Sequence, residues 1–353
     1  HSFIINGLSN GIYTLRINFS NQIYSEKTIS NGELNHLSSI SYSGYRGPIK
    51  VISHLKNGIA ERFWQYNEGD RLKFLGKSEN YSAVVIDIPT TSKILNFTFI
   101  PCTDKDGNDY PIVKIGNQFW MAENLKTTKY NDESHIPYVS DNSEWAALTT
   151  EAYCWYDNDE DLNKETYGAL YNWYAVNTNK LAPEGWHIPT DEEWKMLSSY
   201  LGGEEIAGGK LKETGTKHWE HPNSDATNES GFTGQSGGYR RNDFERLGYE
   251  GTWWSSSAYP HWNTAWSRTL NYSNAELYVG NPTNREFGNS VRCVLDSFTI
   301  ITSDVSDITQ KSATCGGTII FDGGIPLLQT GVCWSKSNNP TIEDHVISKE
   351  PGS

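Results

Sequence analysis

The sequence predicts a multidomain, β-rich chain: an all-β sandwich over residues 1–102, an α+β domain over 103–297, and part of a second β-sandwich over 298–353. Three observations lead there. The chain has 353 residues, more than one hydrophobic core usually supports. Short alternating runs dominate both ends. Between Thr103 and Asp296, by contrast, tryptophans are dense, loops are glycine-rich and two helix signals appear.

The first segment alternates in runs such as Tyr13-Thr14-Leu15-Arg16-Ile17 and Ala83-Val84-Val85-Ile86-Asp87-Ile88, punctuated by Asn-Gly pairs that begin at Asn6, Asn31 and Asn57. Alternation broken by such turns is an antiparallel sandwich pattern. No helical period of useful length precedes residue 140, and no cluster there suggests chemistry, so a spacer or support domain is expected.

The middle segment carries a helix expected over Tyr167–Val176 and another over Asp191–Leu201. The second has a start signal. Thr190 can cap the free amides, Glu193 completes a capping box, and Trp194, Leu197 and Leu201 share one face. After residue 297 the pattern returns to strands, with Ser312–Thr318 and Gly331–Trp334 joined through a turn at Asp322-Gly323-Gly324. An immunoglobulin-like sandwich needs about 100 residues, so only about half of one is expected.

Four stretches of the middle segment resemble the Fibrobacter succinogenes major paralogous domain, a family of surface proteins in gut Bacteroidetes and their relatives. They are Asp106-Gly107-Asn108 with Ile115–Leu125 (IGNQFWMAENL), Tyr167–Trp173 (YGALYNW), Gly185–Trp194 (GWHIPTDEEW), and Trp253–Ser257 (WWSSS) with Ser290–Val294 (SVRCV). The resemblance implies a C-type-lectin-like fold over about 103–296, distantly similar to formylglycine-generating enzymes. Their oxidase chemistry is not carried over, because no matching cysteine pair is present and Cys293 sits in a motif that reads as core. Residues from about 300 to 345 resemble the start of a fibronectin- or immunoglobulin-like module.

Composition narrows the function. The chain has 43 acidic against 29 basic residues, a net charge of -14, which argues against a nucleic-acid partner. No apolar run of eighteen residues and no charged-then-apolar leader is present, so no membrane span is expected, and the chain reads as the mature part of an exported protein. Although only 36% of residues are hydrophobic, 13 Trp, 20 Tyr and 12 Phe point to a core built by aromatic packing. Cys102, Cys154, Cys293, Cys315 and Cys333 are odd in number and form no CxxC, so buried free thiols are the plain expectation.

Candidate chemistry is sparse. Gly234-Gln235-Ser236-Gly237-Gly238 matches a nucleophile-elbow pattern, but polar residues flank it where a strand and a helix are needed. Asp157, Asp159 and Asp161 have calcium-loop spacing, yet Leu162 and Gly168 stand where an EF-hand needs Gly and Glu. A solvated acidic turn at a helix start is expected there, and a looser calcium site is the alternative. His218 and His221 lie in a loop without a third ligand, which argues against zinc.

Aromatics are the stronger candidates. Trp120, Trp173, Trp186, Trp194, Trp253 and Trp254 fall inside the motifs and read as core. Tyr259-Pro260-His261-Trp262-Asn263 joins two strands, Trp253–Ser257 and Ala265–Leu270, and an indole at such a tip has no evident packing reason. With Tyr239, Arg240, Arg241 and Asp243 from the preceding glycine-rich loop, Tyr259, Trp262 and Asn263 are expected to form a ligand platform, the rings stacking on a sugar and the polar groups reading hydroxyls. The expected protein is a non-catalytic adhesin or glycan-binding module without a cofactor. It would be secreted or, as a lipoprotein, held at the bacterial outer surface, with a glycan or a host or surface protein as partner. A structural stalk or fimbrial subunit is the alternative, and an enzyme stands behind both.

Overall fold

The computed structural model describes residues 69–78, 80–88, 90, 93–279 and 282–296, together with 3–6, 11–19, 22–30, 37–42, 54–56 and 59–61 before them and 299–302, 305–309, 312–321, 330–335 and 345–349 after them. It divides into two compact units, His1–Val294 and Leu295–Ser353.

The first unit is built on two large sheets, with two-stranded ones beside them. One has nine strands in the order Trp186–His187, Val294–Leu295, Gln118–Met121, Ile112–Ile115, Tyr81–Asp87, Leu72–Ser78, Gly11–Phe19, Gln22–Ser30, Leu37–Tyr42. The boundary expected at residue 102 falls between two neighbouring strands of this sheet. Tyr81–Asp87 pairs in parallel with Ile112–Ile115, Ala83 opposite Ile112 and Val84 opposite Val113, so one sheet runs through the boundary instead of ending there. The change of texture at Thr103 marks a turn. Buried Asp104 accepts from the amides of Asp106 and Asn108, both at 2.9 Å, and from the Tyr110 hydroxyl at 2.5 Å, which satisfies the backbone of the bend. Of the Asn-Gly turns, Gly7, Asn31-Gly32 and Asn57-Gly58 lie outside the described residues.

The second sheet has six strands: Phe244–Leu247, Gly237–Arg240, Glu250–Ala258, Thr264–Asn271 and Leu277–Val279 in that order, with Thr283–Asn284 also on the Thr264 strand. Between the sheets lies the aromatic core the composition calls for. Trp120 and Trp194 sit 4.8 Å apart, and Phe232 packs edge-on against Trp120, Trp194 and Trp253 at 5.9, 6.0 and 5.7 Å, in the tilted and T-shaped arrangements aromatic rings favour. All six motif tryptophans are buried.

At the centre of this core is a cation. Arg292 stacks 4.0 Å over the Phe232 ring. It donates to Asn124 Oδ1 at 2.8 Å, to Met121 O at 3.0 Å, to Thr233 O at 3.1 Å and to Phe232 O. Burial lowers its pKa to about 9, against the attraction of Glu123. Asn124 Oδ1 also accepts from Trp253 Nε1 at 2.8 Å, so the motifs around 124, 253 and 292 close on one another. A buried guanidinium with no carboxylate is tolerable here because neutral oxygens take its N–H groups.

The helix at Asp191–Tyr200 forms as expected. Thr190 Oγ1 accepts from Glu193 N at 3.2 Å, Glu193 Oε2 accepts from Thr190 N at 2.8 Å, and Trp194, Leu197 and Leu201 are buried. The helix expected over Tyr167–Val176 is corrected to two, Glu160–Tyr167 and Trp173–Val176. Gly168 breaks it with φ 72°, and a Cβ there would lie 2.6 Å from Leu125 O; the chain then runs extended, Leu170–Tyr171 pairing with Tyr153–Cys154. A helix at Glu204–Leu211 goes unpredicted. Its Gly208 and Gly209 argue against a helix locally, yet they let Glu276 O and Asp225 O approach within 2.2 and 2.5 Å of where a Cβ would stand.

In the second unit, Thr299–Thr302 pairs with Gly317–Phe321 and Thr330–Trp334 with His345–Lys349, both antiparallel. The turn expected at Asp322-Gly323-Gly324 lies outside the described residues.

Candidate functional site

The hairpin Glu250–Ala258/Thr264–Asn271 carries the Trp262 loop at its tip. Its register is regular from Glu250↔Asn271 to Trp254↔Ser267 and then shifts, Ala258 facing Ala265. The first strand therefore bulges over Ser255–Ser257, which re-aims the tip. The bulge is held at every residue. Trp173 Nε1 donates to Ser255 O at 2.9 Å, Ser256 N donates to Pro189 O at 2.9 Å, and Asp191 N donates to Ser257 Oγ at 3.0 Å. Two family motifs, YGALYNW and GWHIPTDEEW, thus hold the foot of the loop.

Above this foot the loop is internally braced. Tyr259 N donates to Thr264 O at 3.1 Å, Thr264 Oγ1 to His261 O at 2.7 Å, and Arg285 N to Asn263 O at 3.3 Å. Asn263 Nδ2 donates to the Tyr174 hydroxyl at 2.9 Å. Trp262 and Asn263 both adopt left-handed backbone, φ 57° and 50°. Asparagine tolerates this readily, whereas an indole-bearing residue pays roughly 1–2 kcal/mol. Trp262 is 81% exposed, the most exposed large hydrophobic side chain among the described residues. It ends a row of rings: Trp266 to Tyr259 at 4.9 Å, Tyr259 to His261 at 5.8 Å, His261 to Trp262 at 5.7 Å.

The expected second half of the platform divides. Tyr239 and Arg241 lie on one face of their hairpin, Arg241 exposed with its guanidinium 5.4 Å from the Tyr239 ring and 5.2 Å from Phe287. Asp243 is also exposed and accepts from Phe244 N at 2.8 Å. Arg240, expected beside them as a ligand contact, is a correction: strand alternation turns it inward, where it is fully buried. It donates to Val139 O and Ser140 O, both at 2.7 Å, and to Asn142 Oδ1 at 2.8 Å, between Trp145 and Phe244. Among the described residues no hydrogen bond or ring contact joins Tyr239–Asp243 directly to Tyr259–Asn263. The segment Arg285–Gly288 links them, Arg285 on the Trp262 loop and Gly288 exchanging two 2.8 Å backbone bonds with Arg240.

Other candidates resolve as structure. Ser236 is fully buried and its hydroxyl donates to His218 O. His218 Nδ1 lies 2.6 Å from Glu213 Oε2. Asp159 caps the helix at Glu160, accepting from Leu162 N at 3.0 Å. Asp157 is exposed, and partial burial with Asp243 and Asp159 nearby raises its pKa above the usual value. No group of three or more His, Cys, Asp or Glu among the described residues is arranged to hold a metal ion. Cys102, Cys154 and Cys293 are buried, Cys315 is exposed and Cys333 half-buried. Burial pushes the Cys154 thiol up to about 12, Arg240 opposing.

Tyr174, Trp266 and Arg285 also hold the Trp262 loop and were not expected. Tyr174 directly follows a motif, and Trp266 lies in the expected strand next to the loop. For Arg285 no local signal exists, since its place depends on the chain returning to the Trp262 loop.

No curated protein and no solved structure matches the chain. The model of the Fibrobacter succinogenes major domain matches residues 113–295, just over half of the 353 residues. The motif that holds each point of the bulge beneath Trp262 lies inside that span, and the chain belongs to the Fibrobacter succinogenes major domain family.

Proposed function

We propose that this protein is a non-catalytic recognition module, secreted or displayed at a bacterial surface, which binds a glycan at the Trp262 loop and releases it unchanged. The matched span would have the C-type-lectin-like fold that its motifs resemble. One observation carries the functional reading: a loop braced at every level presents an indole almost wholly to solvent, on a backbone conformation that bulky residues avoid. Leaving such a side chain exposed forgoes roughly 1.5–3 kcal/mol of burial. A sugar's flat apolar face would recover part of it by stacking, with Asn263 and the Tyr174 hydroxyl beside it to meet hydroxyl groups.

The test is a glycan array probed with the full chain and with Trp262→Ala. The substitution is expected to weaken binding about thirtyfold, the effect of losing an anchor of ~2 kcal/mol, with the melting curve almost unmoved. Unfolding of the variant would make Trp262 a structural residue, and undiminished binding would move the site elsewhere. Self-assembly without binding to any glycan would favour the stalk reading.

A further inference from the structure

The base of the Trp262 loop contains an arginine that no acid claims. The Arg285 guanidinium lies 4.4 Å over the ring of Trp173, a buried indole fixed by its bond to Ser255 O. Arg285 Nε donates to Thr264 O at 3.4 Å, the carbonyl that also accepts from Tyr259 N. Among the described residues no carboxylate pairs with Arg285 and neither of its Nη groups has an acceptor.

Scarcity of acids is not the cause, for the chain holds 43 acidic residues against 29 basic ones. Arg268 meets Asp191 at 2.6 Å, Arg71 meets Glu229 at 3.1 Å, and Arg240 has three acceptors, whereas among the described residues the guanidinium of exposed Arg241, like the Nη edge of Arg285, has ring contacts alone. The loop Tyr259–Thr264 contains no Asp or Glu, and the neighbouring Glu286 accepts from Asn284 Nδ2 at 2.9 Å. A guanidinium stacked on an indole and tied at Nε keeps its Nη edge as a planar, two-pronged donor, the geometry that recognises a carboxylate.

We propose that the glycan bound by this loop carries a carboxylate, as a uronic acid does, Trp262 stacking on the sugar ring and the Nη edge of Arg285 taking the acid. This rests on the Trp262 loop being the recognition site. An acidic peptide would satisfy Arg285 but would leave the indole without a flat ring to cover.

The test measures binding of galacturonate and glucuronate oligosaccharides, their neutral methyl esters, and polyglutamate to the full chain, to Arg285→Gln and to Trp262→Ala. The acids are expected to bind at least tenfold more tightly than the esters, a preference that added salt reduces. Arg285→Gln should bring the affinity for the acids down to that for the esters, so that the ratio of the two falls to about one, whereas Trp262→Ala should weaken both and keep the ratio. Should Arg285→Gln fail to fold, Arg285→Lys keeps the charge without the fork, and it should lose most of the preference. Equal binding of acids and esters that still depends on Trp262 would overturn the carboxylate and spare the recognition site. Binding of neither would remove both readings. Polyglutamate competing as well as the uronates would show that charge alone is read, and would overturn the glycan.

Discussion

The hairpin Glu250–Asn271 places indoles at its two ends under opposite conditions. Trp253 and Trp254 are fully buried, their Nε1 groups donating to Asn124 Oδ1 at 2.8 Å and Tyr171 O at 2.7 Å. Among the described residues Trp262 has no hydrogen-bond partner and touches one ring, His261, and it is 81% exposed. Residue type is the same at both ends, so the difference lies in what surrounds it. At one end, facing sheets and polar partners make tryptophan a folding device. At the other, the fold holds the backbone rigid and leaves the side chain unused.

The sharpest break of this comparison is Trp253→Ala. It removes a core indole and strands Asn124, and should cost about 3–5 kcal/mol in denaturant unfolding; a loss below about 1 kcal/mol would mean that the two ends do not differ. Trp262→Gly tests the other end. Glycine accepts φ 57° without strain, so the variant should gain up to ~1 kcal/mol while losing glycan binding. A loss of stability instead would show the indole supporting the loop.

Smaller effects probe the support beneath the loop. Thr190→Ala removes the cap that orients the Pro189–Asp191 segment under the bulge and should cost about 1 kcal/mol, read by thermal unfolding. Glu193 answers to pH. Burial raises its pKa, but bonds from His187 and Thr190 outweigh this and hold it below the usual value. Its contribution is therefore present above pH ~4.5 and lost as pH falls through the folded pKa. The unfolding midpoint of Glu193→Gln should depend less on pH below that point than the wild type's; parallel curves would sink the assignment. Smallest is thiol labelling. Cys315 should react in the native protein, while Cys102, Cys154 and Cys293 should react only on unfolding.

What sequence reasoning recovered was local chemistry. The Thr190–Glu193 box, the two strands around Trp262 and the burial of the motif tryptophans all follow from neighbours within a few residues. What it missed was set at long range. The run YGALYNW is apolar enough for a helix, but Gly168 must pass Leu125 O. Gly208 and Gly209 discourage a helix until Glu276 and Asp225 are seen pressing on it. Adjacent arginines look alike in the sequence, yet alternation buries Arg240 and exposes Arg241. Arg285 reaches its place only through the fold.

The strand Gln118–Met121 meets Val294 across the large sheet, Met121 N donates to Cys293 O at 3.0 Å and Leu125 N to Val291 O at 2.9 Å. The first and last motifs of the matched span are thus stitched side by side, with Arg292 bonded to both Met121 and Asn124. Ends that adjoin in this way can be joined by a short splice and new ends opened elsewhere, so the span should tolerate circular permutation as long as the strand Tyr81–Asp87 that continues its sheet is kept with it.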